Sequence, residues 1–228
     1  MKKRFLLFDV DRTLLDFKKS EKLALKKSLE EFGFSYTEQI RARYEAINHY
    51  YWGEFEKGKI EKSKILTARF DDLFQEFGFL GDSVQFDRYY RNELSKIAEL
   101  IDGADKLLIR LRQKGHQIYY VTNGTREVQW PRLRKSGLQD LADGIFISEE
   151  IGFQKPEKAY FEIVFSNIPD FKAEEAVIIG DSLTSDILGG VNMGIDTVWY
   201  NPDGEKNIYD YPITHEIAEL NELENLLD

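Results

Sequence analysis

The sequence predicts an α/β fold, a mostly parallel sheet with helices on both faces and a helical cap domain inserted into it. Three observations predict it. Phe5-Leu6-Leu7-Phe8 is an apolar run of strand length that stops abruptly at Asp9. Beyond about residue 100, β-patterned runs alternate with amphipathic helical segments, the pattern of right-handed βαβ crossovers in a Rossmann-like sheet. Between them, residues 17–100 carry helical periodicity and no convincing strand. The expected division is therefore a core of 1–16 and 101–228 and a cap of 17–100.

Phe5–Phe8 is apolar at every position, as a central strand buried on both faces requires. Met1-Lys2-Lys3-Arg4 gives the start a faint likeness to a secretion signal, but the apolar run breaks at Asp9, well short of a signal's apolar region. In the insert, Leu23, Leu25, Leu29 and Phe32 mark a first helix. Ile40 to Phe55, Ile60 to Phe79 and Phe86 to Leu100 mark three more. The 15 basic and 15 acidic residues of this stretch cancel, and 16 of the chain's 31 aromatics fall in it, most at the spacing of a helical core. Ala104 to Lys114 then reads as a helix closed by Gly115, and Gln117-Ile118-Tyr119-Tyr120-Val121-Thr122 as a strand. Glu127 to Lys135 is a helix stopped at Gly137, Gly144 to Ile147 a short strand, and a further helix begins after Pro156. Ala176-Val177-Ile178-Ile179-Gly180 is the next strand, followed by a helix from Leu183 to Asn192 and a strand from Thr197 to Tyr200. Pro202-Asp203-Gly204 makes a turn, and the segment beyond it holds a short edge strand and, in the acidic stretch Glu216 to Asp228, a closing helix.

At 228 residues, 42% hydrophobic and 32% charged, the chain can bury a sizeable core. A formal net charge of −10 opposes broad contact with nucleic-acid backbones, so the expected partner is a small molecule and not a nucleic acid polymer. The absence of cysteine excludes a disulfide framework and suits a reducing, cytoplasmic setting. No run approaches the ~20 apolar residues of a membrane span, so no membrane partner is expected.

Asp9 and Asp11 sit on a tight turn at a strand's carboxyl end, the edge where open α/β sheets bind ligands. Asp181 and Asp186 follow a second strand in the same way. If those strands are neighbours, up to four carboxylates converge, and unit charges ~4 Å apart repel by about 4 kcal/mol at an effective dielectric of about 20. A divalent cation relieves that repulsion. Carboxylate donors, without clustered histidine or any cysteine, point to a hard ion, Mg²⁺ rather than zinc. Thr122, Asn123 and Gly124 close another strand with a hydroxyl, an amide and backbone N–H groups suited to phosphoryl oxygens. Lys155, held ahead of Pro156 at a helix entrance, points toward the same edge.

Taken in order, Asp9-x-Asp11-x-Thr13, Thr122-Asn123-Gly124, Lys155-Pro156 and Gly180-Asp181-x4-Asp186 resemble the four motifs of the haloacid dehalogenase superfamily of phosphohydrolases. The insert after the first motif resembles that superfamily's helical cap. Nearer still, Arg132-Leu133-x2-Ser136-Gly137-Leu138, Ser148-Glu149-Glu150-x-Gly152-x2-Lys155-Pro156 and Asp186-Ile187-Leu188-Gly189-Gly190 are similar to one 5′-nucleotidase branch, which acts on pyrimidine and non-standard nucleoside monophosphates. Ile47-Asn48-x3-Trp52-x5-Gly58-x-Ile60 and Arg69-Phe70 in the cap share that likeness.

The resemblance implies Mg²⁺-dependent hydrolysis of nucleoside 5′-monophosphates, pyrimidine preferred, through an aspartyl-phosphate. It implies Asp9 as the nucleophile, and Asp11 as the acid for the leaving sugar oxygen and then the base for water. It also implies a metal held by Asp9, the Asp11 backbone carbonyl and Asp181, with Asp186 on the metal or beside it. Thr122, Asn123 and Lys155 would stabilise charge on the transferring phosphoryl group, and Thr13 would support the turn. Arg12 departs from the pattern, which more often has a residue there that eases the turn, such as glycine. Asp11 itself favours phosphate esters, because a haloacid dehalogenase has no alkoxide to protonate.

The cap decides the substrate. Asn48, Trp52 and Arg69 are the candidates for base or ribose contact, weighed against core packing for Trp52 and a structural ion pair for Arg69. A sugar-phosphate phosphatase or phosphomutase would share the core chemistry and differ there. A signalling module of receiver type joins similar groups on a parallel sheet, but it is shorter and carries its phosphorylated aspartate on a later strand. A phosphate-binding protein without turnover has Arg12 as its only support.

Overall fold

The structure, a computed structural model, describes residues 3–227. Along the chain come β1 (Phe5–Phe8), then α1 (Phe17–Glu31), α2 (Glu38–Glu56), α3 (Lys62–Phe77) and α4 (Ser83–Ser95). They are followed by α5 (Ala104–Gln113), β2 (Gln117–Thr122), α6 (Arg126–Lys135), β3 (Gly144–Ile147), α7 (Ser148–Ile151) and α8 (Lys158–Ser166). The rest holds β4 (Ala176–Gly180), α9 (Leu188–Met193), β5 (Asp196–Tyr200), β6 (His215–Ile217) and α10 (Glu222–Leu227). The chain divides into two compact units, one from the segment up to Phe17 together with Ala98 onward, the other Lys18–Ile97.

In the first unit the strands lie in the order β3-β2-β1-β4-β5-β6, and every neighbouring pair is parallel. This is the α/β class that the sequence predicts, with a sheet parallel throughout. β1 is central and fully buried because its alternate side chains serve two cores. On one face Leu6 and Phe8 join Tyr120 and Ile179 beneath Leu107 and Leu111 of α5 and Leu223 of α10. On the other, Phe5 and Leu7 join Val121 and Ile178 against Tyr160, Phe161 and Val164 of α8. The chain order reverses between β1 and β4, and a crevice outside the strand carboxyl ends is expected at such a point.

One segment differs from the sequence reading. The helix expected from Leu183 to Asn192 opens as a π-helical turn, Leu183–Ile187, before α9. Its cause is local: the Ser182 side chain accepts from Ser185 N at 3.2 Å, and the Ser182 carbonyl takes both Asp186 N and Ile187 N. The edge strand and closing helix expected after Tyr200 are β6 and α10, and α10 begins at Glu222, whose carboxylate accepts from Ala218 N and Glu219 N.

The second unit packs α1 to α4 around aromatic rings. Phe70 stacks on Tyr44 at 5.2 Å and meets Phe86 edge-on at 4.8 Å and Tyr90 at 5.2 Å. Thr37 caps α2 by accepting from Ile40 N, and Asp82 caps α4 by accepting from Val84 N and Gln85 N. Among the described residues no helix is long and apolar enough to cross a membrane.

Candidate active site

Register places the acidic groups. Phe8 of β1 pairs with Ile179 of β4, and Asp9 N continues the ladder to the Ile179 carbonyl at 2.9 Å. Asp9 and Asp181 thus leave adjacent strands one residue apart in level, Asp9 standing opposite Gly180. Asp186 returns to them from the π-helical turn, and each of the three offers a carboxylate oxygen within 4.8 Å of the others. Asp186 is fully buried, and its Oδ2 accepts from Ser182 N at 3.1 Å. Gly180 makes room for it, since a Cβ there would overlap the Asp186 carboxylate. Gly180→Ala is expected to lower folding stability by about 1–3 kcal/mol through that overlap, measured by urea denaturation; unchanged stability would mean that Asp186 has freedom to move.

Lys155 neutralises part of this charge. Its Nζ donates to Asp9 Oδ1 at 2.7 Å, Asp186 Oδ1 at 2.6 Å and the Val121 carbonyl at 2.7 Å, which uses all three ammonium donors. Burial acts to lower the Lys155 pKa, but Asp186 and Asp9 outweigh it and hold the ammonium charged. Burial pushes the Asp9 carboxyl well above the usual carboxylate range, against the pull of Lys155 and reinforced by Asp186 and Asp181. A hard cation suits such a site, because the three clustered groups offer carboxylate oxygens and lie close enough to repel one another.

Asn123 and Thr122, expected to face phosphate directly, have other partners here. Asn123 Oδ1 accepts from Lys155 N at 3.0 Å and Nδ2 donates to the Lys155 carbonyl at 2.9 Å, so the amide fixes the loop that carries the lysine. That loop precedes α8 by two residues, and Lys155 is not itself at the helix entrance. Thr122 Oγ1 accepts from Gly124 N at 3.1 Å and from Gln129 Nε2 at 2.8 Å, which leaves its own hydrogen to donate.

The Asp11 side chain lies apart from the three clustered carboxylates and is gripped by α6. Gln129 Nε2 donates to Asp11 Oδ2 at 2.8 Å, and Arg132 Nη1 is paired with Asp11 Oδ1. Arg132 is fully buried and lies over the Phe17 ring at 5.6 Å. Gln129 and Arg132 stand one helical turn apart; residue chemistry in the sequence assigns neither a role, although Arg132 opens one of the runs that carry the family resemblance. The available signal is a pair of polar residues at i, i+3 set between the buried Val128 and Leu133.

Arg12 stands in the left-handed region at φ 66°, the conformation a glycine adopts without cost. Its Nε meets Asp181 Oδ2 at 3.1 Å. Thr13 is fully buried in the same turn, where Leu14 N and Leu15 N both bond to the Val10 carbonyl.

In the helical unit, Asn48 and Arg69 are buried and bonded to each other. Asn48 Nδ2 donates to Glu21 at 2.7 Å, Arg69 Nη1 to Asn48 Oδ1 at 2.9 Å, and Arg69 Nη2 to Asp87 at 2.7 Å. The structural ion pair weighed for Arg69 is therefore present. Trp52 is half-buried and meets Phe55 edge-on at 5.7 Å.

The family model for haloacid dehalogenase-like hydrolases matches residues 6–200. Pyrimidine 5′-nucleotidase PynA of Streptococcus pneumoniae is 37% identical over 225 residues, 99% of this chain and 95% of its own. Pyrimidine 5′-nucleotidase YjjG of Escherichia coli is 29% identical over 100% of this chain and 99% of its own. A crystal structure of YfnB from Bacillus subtilis, a HAD-hydrolase by name, is 44% identical with a TM-score of 0.96 over 100% of both chains. That protein is bound to magnesium and shows interdomain movement.

Proposed function

The chain belongs to the haloacid dehalogenase-like hydrolases, and we propose that it hydrolyses nucleoside 5′-monophosphates, pyrimidine nucleotides foremost, through a phosphorylated Asp9. It is a hydrolase of phosphoric monoesters, its substrate a small phosphorylated metabolite and its cofactor Mg²⁺. The observation that carries the nucleotide reading is the 37% identity to PynA across 99% of this chain, helical unit included, where a glyceraldehyde 3-phosphate phosphatase of Pyrococcus furiosus matched over 97% of this chain is 28% identical.

In this reading Asp9 attacks phosphorus in line, forming an Oδ–P bond as the bond from phosphorus to the sugar O5′ breaks. Asp11, oriented by Gln129 and Arg132, gives its proton to that oxygen, then takes one from the water that cleaves the phosphoenzyme and returns Asp9. Lys155 balances charge along the path, exchanging a carboxylate partner for a phosphoryl oxygen, and the Thr122 hydroxyl donates to another. Asp9, Asp181 and the Asp11 carbonyl would hold Mg²⁺, with Asp186 anchoring Lys155 beside them; when bound, the ion supplies Lewis-acid neutralisation of phosphoryl charge.

Phosphate release from a panel of nucleoside monophosphates and sugar phosphates, with Mg²⁺ and with EDTA, tests the proposal. The expected result is EDTA-sensitive release favouring UMP, dUMP or dTMP. Preference for sugar phosphates would transfer the protein to the sugar-phosphatase reading, and no release from any ester would overturn hydrolysis.

A further inference from the structure

Arg12 faces two sets of acids. Toward the strand ends it holds Asp181 Oδ2 at 3.1 Å; toward the loop after β5 its Nη2 lies 3.7 Å from Asp203 Oδ2 and 3.9 Å from Glu205 Oε1. That loop is preformed, because Asn201 Nδ2 donates to the Glu205 carbonyl at 2.9 Å and Asn201 Oδ1 accepts from Glu205 N at 2.8 Å. The Arg12 side chain is 34% exposed, and those of Asp203 and Glu205 are 45% and 63% exposed, so the guanidinium can turn between them without disturbing packing. A cation on Asp181 would share that carboxylate with a positive group, and the two repel.

We propose that Arg12 is a displaceable counter-ion of the metal site, pairing with Asp181 in the metal-free protein and passing to Asp203 and Glu205 when Mg²⁺ takes Asp181. The inference rests on the metal-dependent reading above. It gives the acids at positions 203 and 205 a purpose: they lower the cost of releasing Asp181. Arg12 sets the metal affinity by competition and takes no part in bond making.

Calorimetric titration with Mg²⁺ alone tests it. Arg12→Gln removes the charge and keeps a polar, if shorter, side chain, and it is expected to tighten Mg²⁺ binding about tenfold, equivalent to about 1.4 kcal/mol. Arg12→Lys should stay within about twofold of the parent, since the charge is retained. Asp203→Asn combined with Glu205→Gln should weaken binding about threefold to tenfold in the parent, and by much less when Arg12→Gln is also present. Unchanged or weaker binding by Arg12→Gln overturns the proposal. So does an equal effect of the loop substitutions in both backgrounds, which would mean that the acids act on the cation directly. Phosphate release by the same samples separates this from the hydrolase reading: EDTA-sensitive turnover with an Mg²⁺ affinity indifferent to Arg12 defeats the counter-ion role alone.

Discussion

Asp9→Asn is expected to lower kcat by at least ~10⁴-fold while leaving the fold and Mg²⁺-dependent nucleotide binding in place. The amide has the shape of the carboxylate but cannot form the phosphoenzyme. The structure adds an expectation about stability. Asp9 is 7% exposed, and its carboxyl is held well above the usual range by burial, with Asp186 and Asp181 opposing its charge. Removing the charge relieves that repulsion but takes one of two carboxylates from Lys155, whose Nζ keeps Asp186 and the Val121 carbonyl. The two effects oppose, so the urea midpoint should move little, whereas Lys155→Met should destabilise by about 3–5 kcal/mol by leaving buried carboxylates uncompensated. Undiminished turnover by Asp9→Asn would remove the nucleophile assignment. Loss of activity together with loss of folding would leave Asp9 a structural partner of Lys155.

The parts of this site legible in the sequence are those fixed by strand ends. An apolar run that stops at an aspartate locates that aspartate on the sheet's ligand edge, and two such runs, Phe5–Phe8 and Ala176–Gly180, meet because β1 and β4 are neighbours. Lys155 was legible through its proline, although the lysine reaches the edge from a loop fixed by Asn123. What was not legible depends on side chains converging across long separations. Gln129 and Arg132 reach an aspartate 118 and 121 residues earlier, and nothing in a polar run on a helix says which carboxylate it meets. Asn48 shows the same limit in the helical unit. It occupies the apolar face of α2 beside Ile47 and one turn from Tyr44, a spacing that signals burial but not the Glu21 and Arg69 partners that satisfy it.

Asp11→Asn separates the two halves of the proposed reaction. Arg132 and Gln129 hold the Asp11 carboxylate away from the three clustered acids, so its loss changes proton transfer without changing the carboxylates that would hold the cation. An asparagine can still accept from Arg132, but its amide meets Gln129 Nε2 donor to donor. The Gln129 amide then turns over, with the Thr122 hydroxyl donating instead of accepting and the 3.3 Å bond from Arg132 Nη1 to Gln129 Oε1 given up. The first step should therefore fail according to the leaving group. Nucleoside monophosphates, whose departing alkoxide needs a proton, should lose about 10²–10⁴-fold in kcat/KM, the range of general acid catalysis. p-Nitrophenyl phosphate, whose phenolate departs unprotonated, should still phosphorylate Asp9. Because the water of the second step then lacks its base, nitrophenol should appear as a rapid burst matching the enzyme concentration, followed by slow turnover, with phosphate bound to the protein recoverable after an acid quench. Equal losses for both esters and no burst would make Asp11 a support for the turn. Fast hydrolysis of alkyl esters by the variant would move the acid–base role to another group.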